Sequence, residues 1–156
     1  MRTLQIGKSK ARGIYEIAPY GLKTMLEDAF GKDFFSVDVT DCIKTYEDAC
    51  EELDITPIDE SVMLSNGFTK DEIAYRKIKT IAEALNGCWK PDWSNVKQKK
   101  LVPWFRSDSS GFVFDESIFV LLDATTIYGG DLCFKREDLA DYAGKQFVEI
   151  YKEFII

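Results

Sequence analysis

The chain has 156 residues, enough for a single sizeable core, and its 46% hydrophobic and 30% charged residues are typical of a folded rather than a disordered protein. Its formal net charge is -7 and it contains no histidine. The lack of histidine excludes Ser–His and Cys–His nucleophile pairs and most catalytic zinc sites. Its four cysteines have no CxxC spacing, which disfavours a redox dithiol or an all-cysteine metal site. We therefore predict a protein that is not an enzyme and needs no cofactor or metal.

The N-terminal quarter of the chain is predicted to contain a mobile arm, a helix and a strand. Residues 1–12 carry four basic and no acidic residues, so we expect residues 1–13 to form a flexible basic arm. No apolar signal core follows them and no apolar run approaches the length of a membrane span, which predicts a cytoplasmic protein that uses no membrane. Pro19 and Gly31 are expected to bracket a short helix, and the pattern over residues 34–39 favours a strand.

Two further helices are predicted from their capping residues. Thr45 is placed to cap a short helix, and Asp48 at the third helical position can reach back to the cap. Residues 69–72 form a second capping box, which opens a longer helix that ends at Asn86-Gly87. The segment between these helices, residues 57–67, is predicted to be a loop.

The C-terminal half is predicted to hold strands and a closing helix. Turns are expected at Ser109-Ser110-Gly111 and at Gly129-Gly130, and a last helix over residues 137–154. The short predicted strands are residues 101–105, 111–114, 118–122 and 132–134. Because helices precede a run of strands rather than alternating with them, we predict one α+β domain over residues 1–156. Its antiparallel sheet should have three to five short strands packed against three to four helices.

The segment from Asn86 to Arg106, called here the Trp segment, reverses the charge of the chain. It contains all three tryptophans and five cations against one acid, Asp92. Flat rings can stack on bases and cations can neutralise phosphates, which predicts an anionic, nucleotide-like ligand. Lys135 is added because it precedes the last helix, where free amides favour an anion. The predicted ligand-binding residues are Trp89, Lys90, Trp93, Lys97, Lys99, Lys100, Trp104 and Lys135.

Other interpretations of these features stay open. The Trp segment can be a rigid connector with its tryptophans buried between helix and sheet, or a hot spot for a protein partner. Five acids surround the helix after Thr45, namely Glu47, Asp48, Glu51, Glu52 and Asp54. This acidic face can be plain solvated surface or can dock onto a basic partner.

Gly144 lies inside the predicted last helix, where glycine is unfavourable. It therefore indicates that another backbone approaches closely. Together with Ala140, Ala143 and Phe147 it predicts a homo-oligomer, most simply a dimer built on this helix. The competing explanation is that Gly144 packs against the sheet of its own chain.

Six short motifs also follow one another in the sequence. They are KTYEDAC (44–50), ALN (84–86), WKPDW (89–93), PWF (103–105), LCFK (132–135) and YAGKQF (142–147). In this combination the chain resembles a family of small uncharacterised proteins from gut Bacteroidota and their phages, including crAss-like phages. The resemblance covers residues 40–154 and implies a phage context but no activity.

Composition, the Trp segment and this resemblance lead to one functional hypothesis. We expect a non-enzymatic accessory protein of phage type that binds a nucleotide-like anion, with sequestration of a host immune signalling nucleotide as its use. The alternative is an inhibitor or adaptor that presents the acidic face to a host defence protein or a nucleic-acid-binding protein.

Overall fold

A computed structural model describes residues 5–119 and 132–156 of the chain. Within those ranges it contains nine helices and one two-stranded antiparallel hairpin, so the α+β class is confirmed and the chain is mostly helical. The elements are α1 (Lys8–Ile17), α2 (Tyr20–Phe30), α3 (Lys32–Ser36), α4 (Val39–Cys42), α5 (Tyr46–Glu52), α6 (Glu60–Ser65), α7 (Lys70–Asn86), β1 (Leu101–Asp108), β2 (Gly111–Phe119), α8 (Glu137–Gln146) and α9 (Val148–Ile155).

The sheet of the described chain is a single hairpin. Strands β1 and β2 pair from Leu101 opposite Phe119 to Asp108 opposite Gly111, and the predicted turn joins them. Leu101 also exchanges two backbone hydrogen bonds with Phe134, with N···O distances of 3.0 and 2.7 Å. This isolated bridge ties the segment before α8 to the edge of the hairpin.

The predicted sheet of three to five strands is wrong for the described residues. The segments 111–114 and 118–122 are predicted as two strands, but residues 111–119 form one continuous strand, β2, in which Asp115 and Glu116 are exposed. Charged side chains suit the solvent side of a strand as well as a turn. Segment 132–134 contributes only its bridge, while the end of the third predicted strand and Gly129-Gly130 lie outside the described residues.

The helices with strong local signals are confirmed. Helix α2 lies between Pro19 and Gly31 as expected, and both capping boxes are present at the starts of α5 and α7. The predicted last helix is divided into α8 and α9 at Phe147, which is 4% exposed. Its ring packs edge-on against Tyr142, with centroids 6.2 Å apart. Burial of Phe147 thus accompanies the change of direction between the two helices.

Three other predictions of local structure are wrong. Residues 34–39 are not a strand but include the end of α3, where Phe35 stacks on Tyr15 of α1 with ring centroids 4.1 Å apart. The expected loop 57–67 contains α6, which begins at an Asp59 cap. The expected flexible arm, residues 1–13, is helical from Lys8 onward, and its residues 1–4 lie outside the described residues. In each case the segment is short, so contacts beyond its own residues decide its conformation.

Helix α7 forms the centre of the core. Its Ile78, Ile81 and Leu85 are at most 2% exposed and belong to one buried cluster with α5, α8 and the start of β1. Helix α1 approaches the end of α7 so closely that a Cβ on Gly13 would lie 2.7 Å from Cys88 Sγ. None of the described helices is long and apolar enough to cross a bilayer.

Candidate functional site

The middle of the Trp segment is an irregular loop organised by Lys100. The Lys100 side chain is buried at 3% exposure, and its Nζ donates to the carbonyls of Asn95 and Gln98 at 3.1 and 3.2 Å. The same ammonium lies 5.3 Å from the centroid of the Trp93 ring, within cation–π range. Lys100 thus stabilises the loop, which leaves its charge poorly placed to meet a ligand.

The three tryptophans divide between two places. Trp89 and Trp93 are half-buried and pack against Val102 and Cys133, so the connector interpretation describes this part of the segment well. Trp104 lies further along, on β1, and 44% of it is exposed. The tryptophans therefore do not form one continuous stacking surface.

Trp89 and Lys90 do line a concave site, which we call the Trp89 cleft. It has a volume of about 250 Å³, and helix α7 forms one wall while the start of the loop forms the other. Its lining residues are Lys79, Glu83, Asn86, Trp89, Lys90 and Pro91. Two lysines and one glutamate give this lining a formal charge of +1 in a chain whose net charge is -7.

Asn86 ties the helix wall of the Trp89 cleft to the segment that precedes α8. Its Nδ2 donates to the carbonyl of Cys133 at 2.9 Å, and its Oδ1 accepts from the backbone N–H of Lys135 at 3.1 Å. The Asn86 residue is 3% exposed, so both bonds are shielded from water. These bonds fix the end of α7 relative to the strand-like segment before α8, and with it the position of Trp89.

The remaining predicted lysines lie outside this cleft. Lys135 is 12% exposed in its side chain, and its Nζ contacts both carboxylate oxygens of Glu16 at 2.9 and 2.7 Å. It lines a separate cleft beside Arg12 and Arg136. The Lys99 ammonium lies 5.7 Å from the Phe119 ring centroid, and Lys97 is exposed on the loop. The structure thus places Trp89 and Lys90 in the lining of this cleft, and the other six predicted site residues do not line it.

Sequence analysis missed the contribution of α7 to the Trp89 cleft. Lys79 and Glu83 are four residues apart, so they lie on the same face of the helix, and Asn86 follows three residues later. This spacing is the feature of the sequence that could have indicated the cleft. Polar residues share one face of α7, and the helix ends directly before Trp89 and Lys90, so that face lies beside them. The sequence predicts Lys90 as a site residue but not Lys79, and both line the cleft with Trp89.

The acidic face is smaller than predicted. Glu52 is only 6% exposed, because Arg12 of α1 lies over it with Nε 2.8 Å from Oε1. Asp48 is committed to the cap of α5, and its hydrogen bonds to the backbone of Lys44 and Thr45 lower the pKa of that carboxyl. The carboxylates that remain exposed are Glu47, Glu51 and Asp54, which line a shallow cleft with Ile55, Thr56 and Pro57.

The helix face predicted to meet a second copy is occupied by the same chain. Ala140 and Ala143 are 0% exposed and Phe147 is 4% exposed, all within the core. Gly144 faces Phe114 and Pro103 of the hairpin. The competing explanation for Gly144, packing against its own sheet, is therefore the correct one, and this face is not available for a dimer.

Comparisons with known proteins add no family to this geometry. No protein-family model matches the chain, and neither a curated protein nor a solved structure matches it. The resemblance to phage proteins stays a prediction. Over residues 5–119 and 132–156, no group of three or more acidic, cysteine or histidine side chains is placed to hold a metal ion.

Proposed function

We propose that the chain binds an anionic, nucleotide-like ligand in the Trp89 cleft and acts as a non-enzymatic accessory protein of phage type. The observation that carries the proposal is one concave site lined by an indole ring and two lysines. The ring offers a stacking surface for a base, and the exposed ammonium of Lys90 offers counter-charge for phosphate. The described residues of the lining include one carboxylate and no thiol or hydroxyl, so the proposal is binding rather than catalysis.

The dimensions of the cleft indicate how such a ligand sits. Its volume of about 250 Å³ is slightly below the range of about 300–1,000 Å³ typical of small-molecule pockets. A base fits against Trp89 while the rest of the ligand stays at the mouth near exposed Lys90. A site of this kind suits reversible sequestration of a host signalling nucleotide, which is the use we propose for it.

A charge reversal at Lys90 tests this proposal. We expect Lys90→Glu to weaken nucleotide binding by at least about tenfold, equivalent to roughly 1.4 kcal/mol, because it places a carboxylate where phosphate is bound. Binding is measured by tryptophan fluorescence with mono-, di- and cyclic nucleotides. Lys97→Glu is the matched control, since it makes the same charge change in the same loop outside the cleft.

Two results would contradict the proposal. One is the absence of any fluorescence response of the wild-type chain across the nucleotide panel. The other is an equal loss of affinity in Lys90→Glu and Lys97→Glu, since an effect shared by both sites reports only the overall charge of the loop.

A second candidate function uses what remains of the acidic face. Ile55 is 47% exposed and lies among the carboxylates of Glu47, Glu51 and Asp54. An apolar side chain ringed by acids suits a basic protein segment that also carries an apolar anchor. We propose an inhibitor or adaptor role toward a host defence protein or a nucleic-acid-binding protein as this alternative.

Neutralising the exposed acids tests the alternative. We expect the triple variant Glu47→Gln, Glu51→Gln, Asp54→Asn to keep its stability, because exposed charges contribute little, and to lose binding to a basic partner. Binding is measured by the salt dependence of retention on immobilised polylysine, which rises with the number of paired charges. The control variant Asp28→Asn, Glu149→Gln, Glu153→Gln removes three exposed acids elsewhere. If polylysine retained the two triple variants equally, the acidic face would have no special role in binding a basic partner.

A further inference from the structure

A larger pocket lies between the β1–β2 hairpin and helix α9, away from the Trp89 cleft. This hairpin pocket has a volume of about 430 Å³, within the range of small-molecule sites. Aromatic side chains dominate its walls, and they come from the hairpin, α9 and α7. They are Tyr75, Trp104, Phe105, Phe112, Tyr151 and Phe154.

The side chains that line the hairpin pocket are uncharged. Among those of the described residues, the polar groups that can face the pocket are the hydroxyls of Ser107 and Tyr75 and the indole N–H of Trp104. An anion or cation entering it would lose hydration without gaining a counter-charge. The lining therefore selects an uncharged ligand, which separates this site chemically from the Trp89 cleft.

Two rings of the pocket are stacked and a third is tilted against them. Phe105 stacks on Phe112 with centroids 5.0 Å apart and an interplanar angle of 15°, and the Tyr151 ring lies 4.7 Å from Phe105 at an angle of 34°. Trp104 is 44% exposed and extends the aromatic lining toward solvent. Layered rings offer a planar molecule stacking and edge contacts that a flexible chain cannot match.

We propose that the hairpin pocket binds a neutral, planar aromatic molecule. The volume sets the size of the ligand, the uncharged side chains of the lining set its neutrality, and the stacked rings favour a planar shape. The proposal is independent of the nucleotide-like ligand of the Trp89 cleft, and the two sites can be occupied or lost separately.

Nile red, a neutral planar dye with a carbonyl acceptor, is the probe for this pocket. We expect saturable binding of one dye per chain with a blue shift of its emission. The anionic dye 1-anilinonaphthalene-8-sulfonate should bind at least tenfold more weakly, because the pocket offers its sulfonate no cation. Equal affinity for the two dyes would overturn the neutral class of ligand.

Two tryptophan variants locate the bound dye. Ser107→Trp is expected to abolish binding by filling the pocket, whereas Ser109→Trp, in the hairpin turn outside it, should bind as the wild type does. Thermal melting of both variants confirms that they fold. Equal binding by the two folded variants, or no saturable binding by the wild type, would overturn the site. So would a self-association, detected by light scattering, that Ser107→Trp abolishes, since a second copy would then be the occupant.

Discussion

Replacing Glu52 by alanine is expected to lower the free energy of unfolding by about 3–5 kcal/mol, the range for removing one partner of a buried ion pair. Glu52 is 6% exposed and its carboxylate lies 2.8 Å from Nε of Arg12, which is itself only 14% exposed in its side chain. Without Glu52 the Arg12 guanidinium would stay buried among uncharged partners, which are the backbone carbonyl and ring of Phe34, the carbonyl of Val37 and the thiol of Cys42. The expected loss of stability comes from burying the Arg12 charge without a negatively charged partner.

The neighbouring residue provides a matched control for this prediction. Glu51 also pairs with a cation of α1, Lys8, at 2.9 Å, but the two side chains are 75% and 47% exposed. Glu51→Ala should therefore change stability by less than about 1 kcal/mol, as is usual for surface pairs. Urea unfolding of both variants measures the difference. If both variants lost the same free energy of unfolding, the buried Arg12–Glu52 pair would stabilise the chain no more than the exposed pair does. Helix α1 would then be only loosely packed against α5.

Replacing Gly144 by leucine is expected to lower the free energy of unfolding by about 1–3 kcal/mol through overpacking. A Cβ at this position would lie 2.7 Å from Cε2 of Phe114 and 2.8 Å from Cβ of Pro103, inside normal contact distance. The proline ring cannot rotate away, so α8 must move off the hairpin. The loss should exceed the gain from removing a helix glycine, which is about 1 kcal/mol.

Gly21→Leu separates crowding from helix propensity. Gly21 lies in α2, and no atom outside its immediate neighbours lies within 4 Å of the position that a Cβ would take, so this variant should be as stable as the wild type or more so. We still propose a homo-oligomer, which must use a face other than the α8 face that is buried against the hairpin. Light scattering of the wild type and of Gly144→Leu measures the number of subunits. A Gly144→Leu chain that changes subunit number without losing stability would contradict packing of α8 on its own hairpin.

Local signals predicted those elements whose stabilising contacts lie within a few residues. Thr45 with Asp48 and Thr69 with Glu72 are reciprocal contacts over three residues, so sequence alone placed the starts of α5 and α7. The hairpin turn at Ser109-Ser110 is equally local. The strand predicted over 34–39 failed because Phe35 is held by Tyr15, twenty residues away, in a contact that no local pattern reveals.

The candidate sites divide in the same way. Trp89 and Lys90 are adjacent in sequence, so their composition could indicate a site, but Lys79 and Glu83 join them only because α7 ends directly beside the loop. Lys100 and Lys135 looked like free cations until folding placed them against Asn95 and Glu16. The aromatic residues of the hairpin pocket come from α7, the hairpin and α9, and no spacing relates them.

Short-range patterns along the chain were sufficient to establish the α+β class, the caps of α5 and α7, the hairpin turn and the local inversion of charge in the Trp segment. These features depend on hydrogen bonds and periodicities that span a few residues. The packing of whole helices was needed to establish which charges are exposed, that Gly144 faces its own hairpin, and which rings enclose a pocket. Those outcomes depend on pairs such as Arg12 and Glu52, forty residues apart, which meet because α1 docks beside α5 and not because of any local preference.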